Sequence, residues 1–208
     1  MKNKEDSLNE KSALNKRAIK KRVNNTVLQS SNTAFILEEW KPEDANLPIS
    51  WKTTDTVVGE VLIASTPKGV CFLGFINDSP GFALADLKRR FPTCPLIEKE
   101  TEWHKEAVEY INNPRLILPV HLHLKGTSFQ LSIWKKLSLI PFGGLTTYAN
   151  LGNDARNARA TGAAVGANPV SYILPCHRAV RSDGSFDKYY WGSEVKRKLL
   201  EYEGGCIV

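Results

Sequence analysis

The residues of this chain best suited to chemistry lie in Ile173-Leu174-Pro175-Cys176-His177-Arg178. Proline fixes the backbone just before the thiol and biases Leu174 toward extended geometry. An ordinary cysteine is only a few per cent thiolate at neutral pH, so a nucleophilic one needs a base or a fixed dipole nearby. His177 is the adjacent base. Neighbouring side chains in extended chain point apart, so a relay through water suits the pair better than direct contact. The imidazole then needs a third group to orient it, and the carboxylates Glu201 and Glu203 are candidates. Taken alone, Cys-His is a weak pattern, and a buried structural thiol beside a surface histidine is the commoner arrangement.

The other cysteines, Cys71, Cys94 and Cys206, are far apart and form no CxxC pair. That spacing suits neither a disulfide framework nor a metal site, so Cys71 and Cys94 read as core thiols and no metal is expected. His121 and His123 share one face of a predicted strand with no third ligand nearby, and read as strand histidines.

The thiol must be positioned by the elements around it. Residues 155–166 (ARNARATGAAVG) form a predicted helix rich in Ala and Gly, whose small side chains allow close approach to another surface. A shorter helical stretch, 146–151, precedes it across Gly152-Asn153. The two make a helix-turn-helix candidate with one forward arginine, Arg159; a tightly packed internal helix is the plainer reading. Residues 128–139 and 192–203 are further amphipathic helices. Earlier in the chain, 51–55, 60–65 and 70–75 are short β-rich runs, the last two joined by the turn Thr66-Pro67-Lys68-Gly69. Helical spacing follows at 80–91 and 101–111, and a strand at 116–124. The pattern predicts an α+β chain: a disordered basic tail over 1–45, a small α/β N-terminal lobe over 46–118, and a mostly helical lobe with the helix-turn-helix over 119–208.

Charge divides along the same lines. Residues 1–22 carry net +5, 23–118 net −4 and 119–208 net +5 within the chain's +6. A basic second half beside an acidic first half places a polyanion on the second half, although a solvated face of uneven charge gives the same count. The tail can add non-specific attraction to phosphates. No apolar run reaches the roughly 18 residues of a membrane span, and no apolar signal-peptide core opens the chain. A cytoplasmic protein with no membrane contact is expected.

The stretch 126–204 strongly resembles the C-terminal lobe of the O6-alkylguanine-DNA alkyltransferases, the methylated-DNA–protein-cysteine methyltransferases. The matching pieces run in order: Gly126-Thr127-Ser128-Phe129-Gln130, Trp134, Ile140-Pro141-Phe142-Gly143, Thr147-Tyr148, Ala158-Arg159-Ala160, Asn168-Pro169, Pro175-Cys176-His177-Arg178, Asp183-Gly184, Tyr189 with Trp191-Gly192, and Leu199-Leu200 with Glu203. Such a chain of motifs at coherent spacing is far more specific than any one of them. Residues 50–118 fit the family's variable first lobe more loosely.

The resemblance implies repair of O6-alkylguanine, mainly methyl and with O4-methylthymine as a second lesion, by stoichiometric transfer to Cys176. His177 would deprotonate the thiol through a water, Glu203 would orient His177, and Asn168 would brace the active-site turn. Tyr148 would donate to the guanine ring, and the carbonyls of Cys176 and Ala179 would accept from its amino group. The N–H of Tyr190 would lie near O6, and Tyr189 would wall the pocket. Arg159 would fill the gap left by a flipped nucleotide, with Ala158, Ala160 and Gly162 on the same DNA-facing helix. The implied partner is double-stranded DNA, the implied state a monomer, and no cofactor is needed.

The chain departs from the family pattern in places. Between Tyr148 and Arg159 it is three residues shorter than the resemblance implies, close to one helical turn, which puts the placement of Tyr148 in question. Lys188 stands where many members have glycine. Trp191, a bulky residue in the same loop, predicts a narrow pocket that prefers methyl to benzyl-sized adducts. A non-catalytic alkyl-lesion-recognition protein is the alternative; a cysteine hydrolase lacks a visible oxyanion motif, and a plain helix-turn-helix regulator would not need Pro175-Cys176-His177-Arg178.

Overall fold

Three strands from the middle of the first lobe set the architecture. In the computed structural model, which describes residues 15–29, 35–76, 81–116 and 118–204, β2 (Ile49–Thr56), β3 (Gly59–Thr66) and β4 (Gly69–Phe75) form an antiparallel meander. Gly69 closes the second turn with φ +149°, and a Cβ there would stand 2.7 Å from the carbonyl oxygen of His121. Only glycine serves both the turn and that close approach. β1 (Phe35–Glu39), β5 (Leu96–Glu98) and β6 (Val120–Leu124) add parallel pairings, giving one six-stranded sheet in the order β1-β6-β4-β3-β2-β5. Helix α2 (Phe82–Arg90) packs beside β4, and α3 (Glu102–Asn112) covers β2, β3, β4 and β6.

The second lobe is mostly helical: α4 (Ser128–Leu137), α5 (Tyr148–Leu151), α6 (Ala158–Gly166) and α7 (Ser193–Gly204), with a two-stranded pair β7 (Thr146–Thr147) and β8 (Ala179–Val180). Thr127 and Gln130 cap the start of α4 reciprocally, at 3.2 and 2.9 Å. Trp134 on α4 donates Nε1–H to the carbonyl of Ala164 on α6 at 2.8 Å, which seats the Ala/Gly-rich helix against α4. The lobes share one hydrophobic core, and β4 reaches across to 169–171 through Leu73 N–H to Pro169 O and Ser171 N–H to Leu73 O. Among the described residues no helix is long and apolar enough to cross a membrane.

The chain therefore has the expected two-lobe α+β form with a helix-turn-helix, and two expectations need correction. The strand 120–124, assigned above to the second lobe, is the second strand of the first lobe's sheet; its alternation is real, but its pairing partners lie far away in sequence. The tail expected to be disordered over 1–45 contains β1 and a helix, α1 (Lys16–Asn25). Ile19 of α1 is fully buried in a small cluster with Leu145, Val180 and Leu200. Its apolar face is too thin among lysines and arginines to stand out, because the partner surface is in the second lobe. Residues 1–14, and Cys206, lie outside the described residues.

Candidate active site

The loop from α6 to β8 holds the thiol rigidly. Tyr172 adopts φ +67°, a left-handed conformation that few bulky residues take. Asn168 spans the bend: its Oδ1 accepts from Val170 N–H at 3.0 Å and its Nδ2 donates to Leu174 O at 2.8 Å. Cys176–Arg178 then makes a single 3₁₀ turn. Turns of this kind leave little freedom, so the nucleophile candidate sits on a fixed backbone.

Cys176 is 4% exposed, and its Sγ lies 3.4 Å from the Tyr189 hydroxyl and 4.0 Å from Ser171 Oγ. The thiol and the ring of His177 make no direct hydrogen bond. His177 is fully buried and stacks on Tyr172, with centroids 5.5 Å apart and planes 6° from parallel. Its Nε2 meets Glu203 Oε1 at 2.8 Å, while its Nδ1 is buried with no hydrogen-bond partner among the described residues. With Nε2–H donating to the carboxylate, Nδ1 carries the lone pair and is free to accept a proton. Of the two carboxylates weighed above, Glu203 is the one at the imidazole; Glu201 is exposed and paired with Arg197.

Glu203 is enclosed by donors. Arg178 reaches it through Nε at 3.0 and 3.2 Å and through Nη2 at 2.9 Å, and Gly143 N–H adds a contact at 3.3 Å. Burial pushes its carboxyl upward, but Arg178 and then His177 outweigh that and hold it near about 2. Burial also wins at His177, lowering it below its ordinary 6.5 in spite of Glu203. The pair therefore rests as carboxylate and neutral imidazole. Burial and the neighbouring Cys176 raise Tyr189 well above the ordinary phenol range, so its hydroxyl stays a donor.

A cavity of about 490 Å³ opens over the thiol, lined among others by Cys176, Tyr148, Arg159, Gly162, Tyr189 and Tyr190. Ala158 lines it as well, whereas Ala160 is exposed elsewhere on α6. Arg159 is exposed and pairs with no carboxylate among the described residues. His177, Glu203 and Ala179 lie behind this wall, fully buried. The shortened helix is a single turn, closed by Gly152 and a left-handed Asn153 at φ 58°. A Cβ at Gly152 would lie 2.5 Å from Thr161 Oγ1, so the turn packs tightly on α6 and Tyr148 still faces the cavity.

Trp191 differs from expectation: it is not among the cavity-lining residues. It is buried against Phe72, Phe75 and Phe82 of the first lobe and donates Nε1–H to Ser171 Oγ at 2.7 Å. Gly74 makes room for it, since a Cβ there would overlap the indole. Tyr190 is tied to the first lobe as well, its hydroxyl donating to the buried Asp86 at 2.7 Å. Three other residues of the site escaped the sequence reading. They are Ser171, Arg178 as the partner of Glu203, and Lys196, which donates to Ala179 O at 2.6 Å and is lowered to about 8 by burial. The available signal was the helical stripe Lys196, Leu199, Leu200, Glu203, in which a charge stands at each end of an apolar face.

The comparisons with known proteins converge. Residues 128–205 match the model of the 6-O-methylguanine DNA methyltransferase, DNA binding domain. The chain is 38% identical over 147 residues to the inducible methylated-DNA–protein-cysteine methyltransferase of Bacillus subtilis, covering 68% of this chain and 82% of that protein. It is 30% identical over 164 residues to the bifunctional transcriptional activator/DNA repair enzyme Ada of Escherichia coli, covering 76% of this chain and only 46% of the relative. Mycobacterium tuberculosis OGT, solved in complex with DNA, superposes with a TM-score of 0.60 at 27% identity, over 75% of this chain and 93% of that one.

Proposed function

The chain belongs to the family of O6-alkylguanine-DNA alkyltransferases, and on that premise we propose how its residues carry the reaction. The enzyme is a methylated-DNA–protein-cysteine methyltransferase: it repairs O6-alkylguanine in DNA by moving the alkyl group to its own cysteine. O6 lies inside a stacked base pair, so the alkyl carbon becomes reachable only when the nucleotide leaves the stack, at a cost of a few kcal/mol. The cavity over Cys176, about 490 Å³, is large enough for one base. Arg159, exposed on α6 and with no carboxylate partner among the described residues, fills the gap left in the duplex, and Ala158, Ala160 and Gly162 let that helix approach closely.

The observation that carries the proposal is the pair of ring nitrogens of His177, one held by Glu203 and one with no partner among the described residues. A water between Nδ1 and the thiol takes the Cys176 proton to His177. The thiolate attacks the alkyl carbon, the carbon–oxygen bond breaks, and its electron pair moves onto O6 and the guanine ring. Tyr148, whose hydroxyl burial raises to about 12, stays protonated and donates to the ring as this charge develops. The Tyr190 N–H serves O6, the carbonyls of Cys176 and Ala179 accept from the amino group, and Tyr189 walls the pocket beside the sulfur. The proton that His177 took from the thiol passes on through water to the guanine anion, so His177 ends neutral and the base ends as guanine, and the thioether that remains ends the protein's activity. Asn168 acts through the turn it spans.

Supporting a monomer, one chain supplies every group named. We place it in the cytoplasm, with O4-methylthymine as a second substrate and methyl preferred to benzyl adducts because the Tyr189 hydroxyl crowds the sulfur. Incubation with a duplex carrying one O6-methylguanine, followed by intact mass and peptide mapping, tests the reading. The expected result is one methyl group on Cys176, saturating at one per chain, and none in Cys176→Ala, which keeps its affinity for the duplex. A methyl group elsewhere, or lesion-selective binding with no transfer, overturns it.

A further inference from the structure

Helix α1 lies against the back of the lobe that carries the site. Besides burying Ile19, it lays Arg22 across a turn and a helix of the second lobe: Nε and Nη2 donate to Gly143 O at 3.2 and 2.8 Å, and Nη1 donates to Leu200 O at 3.2 Å. Both acceptors adjoin Glu203. Gly143, in the left-handed region at φ 75°, is the residue whose N–H donates to Glu203 Oε2, and Leu200 lies one helical turn before Glu203 on α7. Thr26, just past α1, accepts from Leu145 N–H at 2.8 Å, and Gln29 N–H donates to Leu139 O at 2.9 Å.

The facing surface is shaped to receive the helix. A side chain at Gly144 would meet Thr26 Cγ2 at 2.9 Å, one at Gly204 would meet Arg22 Nη1 at 3.0 Å, and one at Gly184 would meet the Lys16 carbonyl at 2.9 Å. Three separate points of the second lobe thus leave room for α1 and its C-terminal extension. Among the described residues, the carboxylate that orients the imidazole is otherwise held by Arg178 and the Gly143 turn, and a glycine turn, free to adopt many conformations, is a soft support unless its carbonyl is fixed.

We infer that Arg22 is a positioning residue for alkyl transfer: by fixing the Gly143 turn to the end of α7, it holds Glu203 in the orientation that aims His177 Nδ1 toward the thiol. This rests on the alkyl-transfer reading above. Arg22 touches neither base nor sulfur and acts only through Glu203 and its turn. The exposed side of α1, with Lys16, Arg17 and Lys20, offers DNA phosphates a basic surface instead, and the test separates that role.

The full-length chain, Arg22→Met, Arg22→Lys and Thr26→Val are compared in single-turnover methyl transfer from a saturating duplex, well below each protein's unfolding midpoint. Duplex Kd and Tm are measured alongside. Arg22→Met should lower the rate constant by about tenfold, the scale of a misplaced supporting contact, with Kd unchanged. Arg22→Lys, which keeps a donor for Gly143 O, should recover part of the loss, and Thr26→Val should show a smaller fall of the same kind. If Arg22→Met fails to fold, the other two variants decide by the same criterion. Rate constants within about twofold of the unmodified chain, with or without a lower Tm, overturn the inference, as does a loss confined to Kd. If the unmodified chain transfers no methyl group, the alkyl-transfer reading itself falls; if it transfers and Arg22→Met matches it, only the positioning role does.

Discussion

Two buried histidines in this molecule have nearly the same surroundings, and only one stands beside a nucleophile. In the first lobe His123 is fully buried, with Nε2 on Asp44 at 3.2 Å, and Lys68 bridges that carboxylate at 3.0 Å. In the second lobe His177 is fully buried on Glu203, which Arg178 grips. Each carboxyl is held near about 2 against its burial, Asp44 by the Lys41 N–H and then Lys68 and His123, Glu203 by Arg178 and His177. Each imidazole is pushed below 6.5 by burial. The difference is the second ring nitrogen. His123 Nδ1 meets Thr66 Oγ1 at 2.8 Å and the ring stacks on Trp40, whereas His177 Nδ1 has no partner among the described residues. A closed network specifies a core; the same network left one bond short, next to Cys176, has a basic atom to use.

The strongest way to break this comparison is to neutralise each carboxylate in turn. Glu203→Gln leaves Arg178 buried without its counter-charge, at a cost of about 3–5 kcal/mol, and no longer favours the Nδ1 lone pair. Single-turnover transfer should slow by about 10²- to 10⁴-fold, the range seen when an acid–base group or its orienting carboxylate is lost. Asp44→Asn should cost about 1.5–3 kcal/mol in denaturant unfolding, the scale of hydrogen bonds to a charged group, because Lys68 keeps Glu38 at 2.7 Å and is not left without a counter-charge, and it should leave the transfer rate of the folded protein unchanged. A comparable loss of rate in both variants would mean the two clusters are not functionally distinct.

Acid titration sharpens the contrast. The unfolded chain protonates its histidines near 6.5, while these two, and the buried His104 with them, stay neutral to lower pH, so the stability they contribute is present above 6.5 and drains away as pH falls toward their folded values. The carboxylates add a second stage: their contribution is present above their ordinary 4.5 and 3.8 and is lost as pH falls toward about 2. Thermal unfolding midpoints should therefore decline from pH 6.5 downward and more steeply below about 4.5. The transfer rate should hold through neutral pH and fall only below 6.5, as His177 takes a proton between Glu203 and the cations Arg178 and Lys196. An acid limb above 6.5 would contradict a depressed His177.

Much of this was legible because the informative contacts are local. The β3–β4 turn announces itself in Thr66-Pro67-Lys68-Gly69, the Ala/Gly content of 158–166 marks a helix that packs closely, and Pro175-Cys176-His177-Arg178 places the thiol. What was hidden depends on distant pairing. The strand 120–124 reads correctly as a strand, yet nothing local says that it joins the first lobe's sheet beside 35–39. Leu96–Glu98 is a three-residue strand made by parallel pairing with Ile49–Trp51, and carries too few residues for a period. Helix 16–25 looks solvated because Ile19 finds its partners some 120 residues or more away. Trp191 reads as a pocket wall until Gly74, on a strand of the other lobe, is seen to receive it.

The smallest expected effect comes from making the first cluster imitate the second. Thr66→Val keeps the shape of the side chain and removes the partner of His123 Nδ1, which leaves a buried ring nitrogen unpaired as in His177. The cost should be about 1–3 kcal/mol in denaturant unfolding, part of it from the Lys68 N–H that Thr66 Oγ1 also accepts at 3.1 Å. The transfer rate should stay the same, and peptide mapping should still find methyl only on Cys176. Cys71 on β4 and Cys94, the described cysteines of that lobe, are both pushed upward by burial and stay thiols, so a free imidazole nitrogen there finds no thiol ready to give up its proton. Methylation of Cys71 in this variant would show that an orphaned histidine nitrogen is enough by itself. Its absence would mean that reactivity needs the nitrogen, a thiol at the floor of a cavity and a base-sized space together, and only the second lobe has all three.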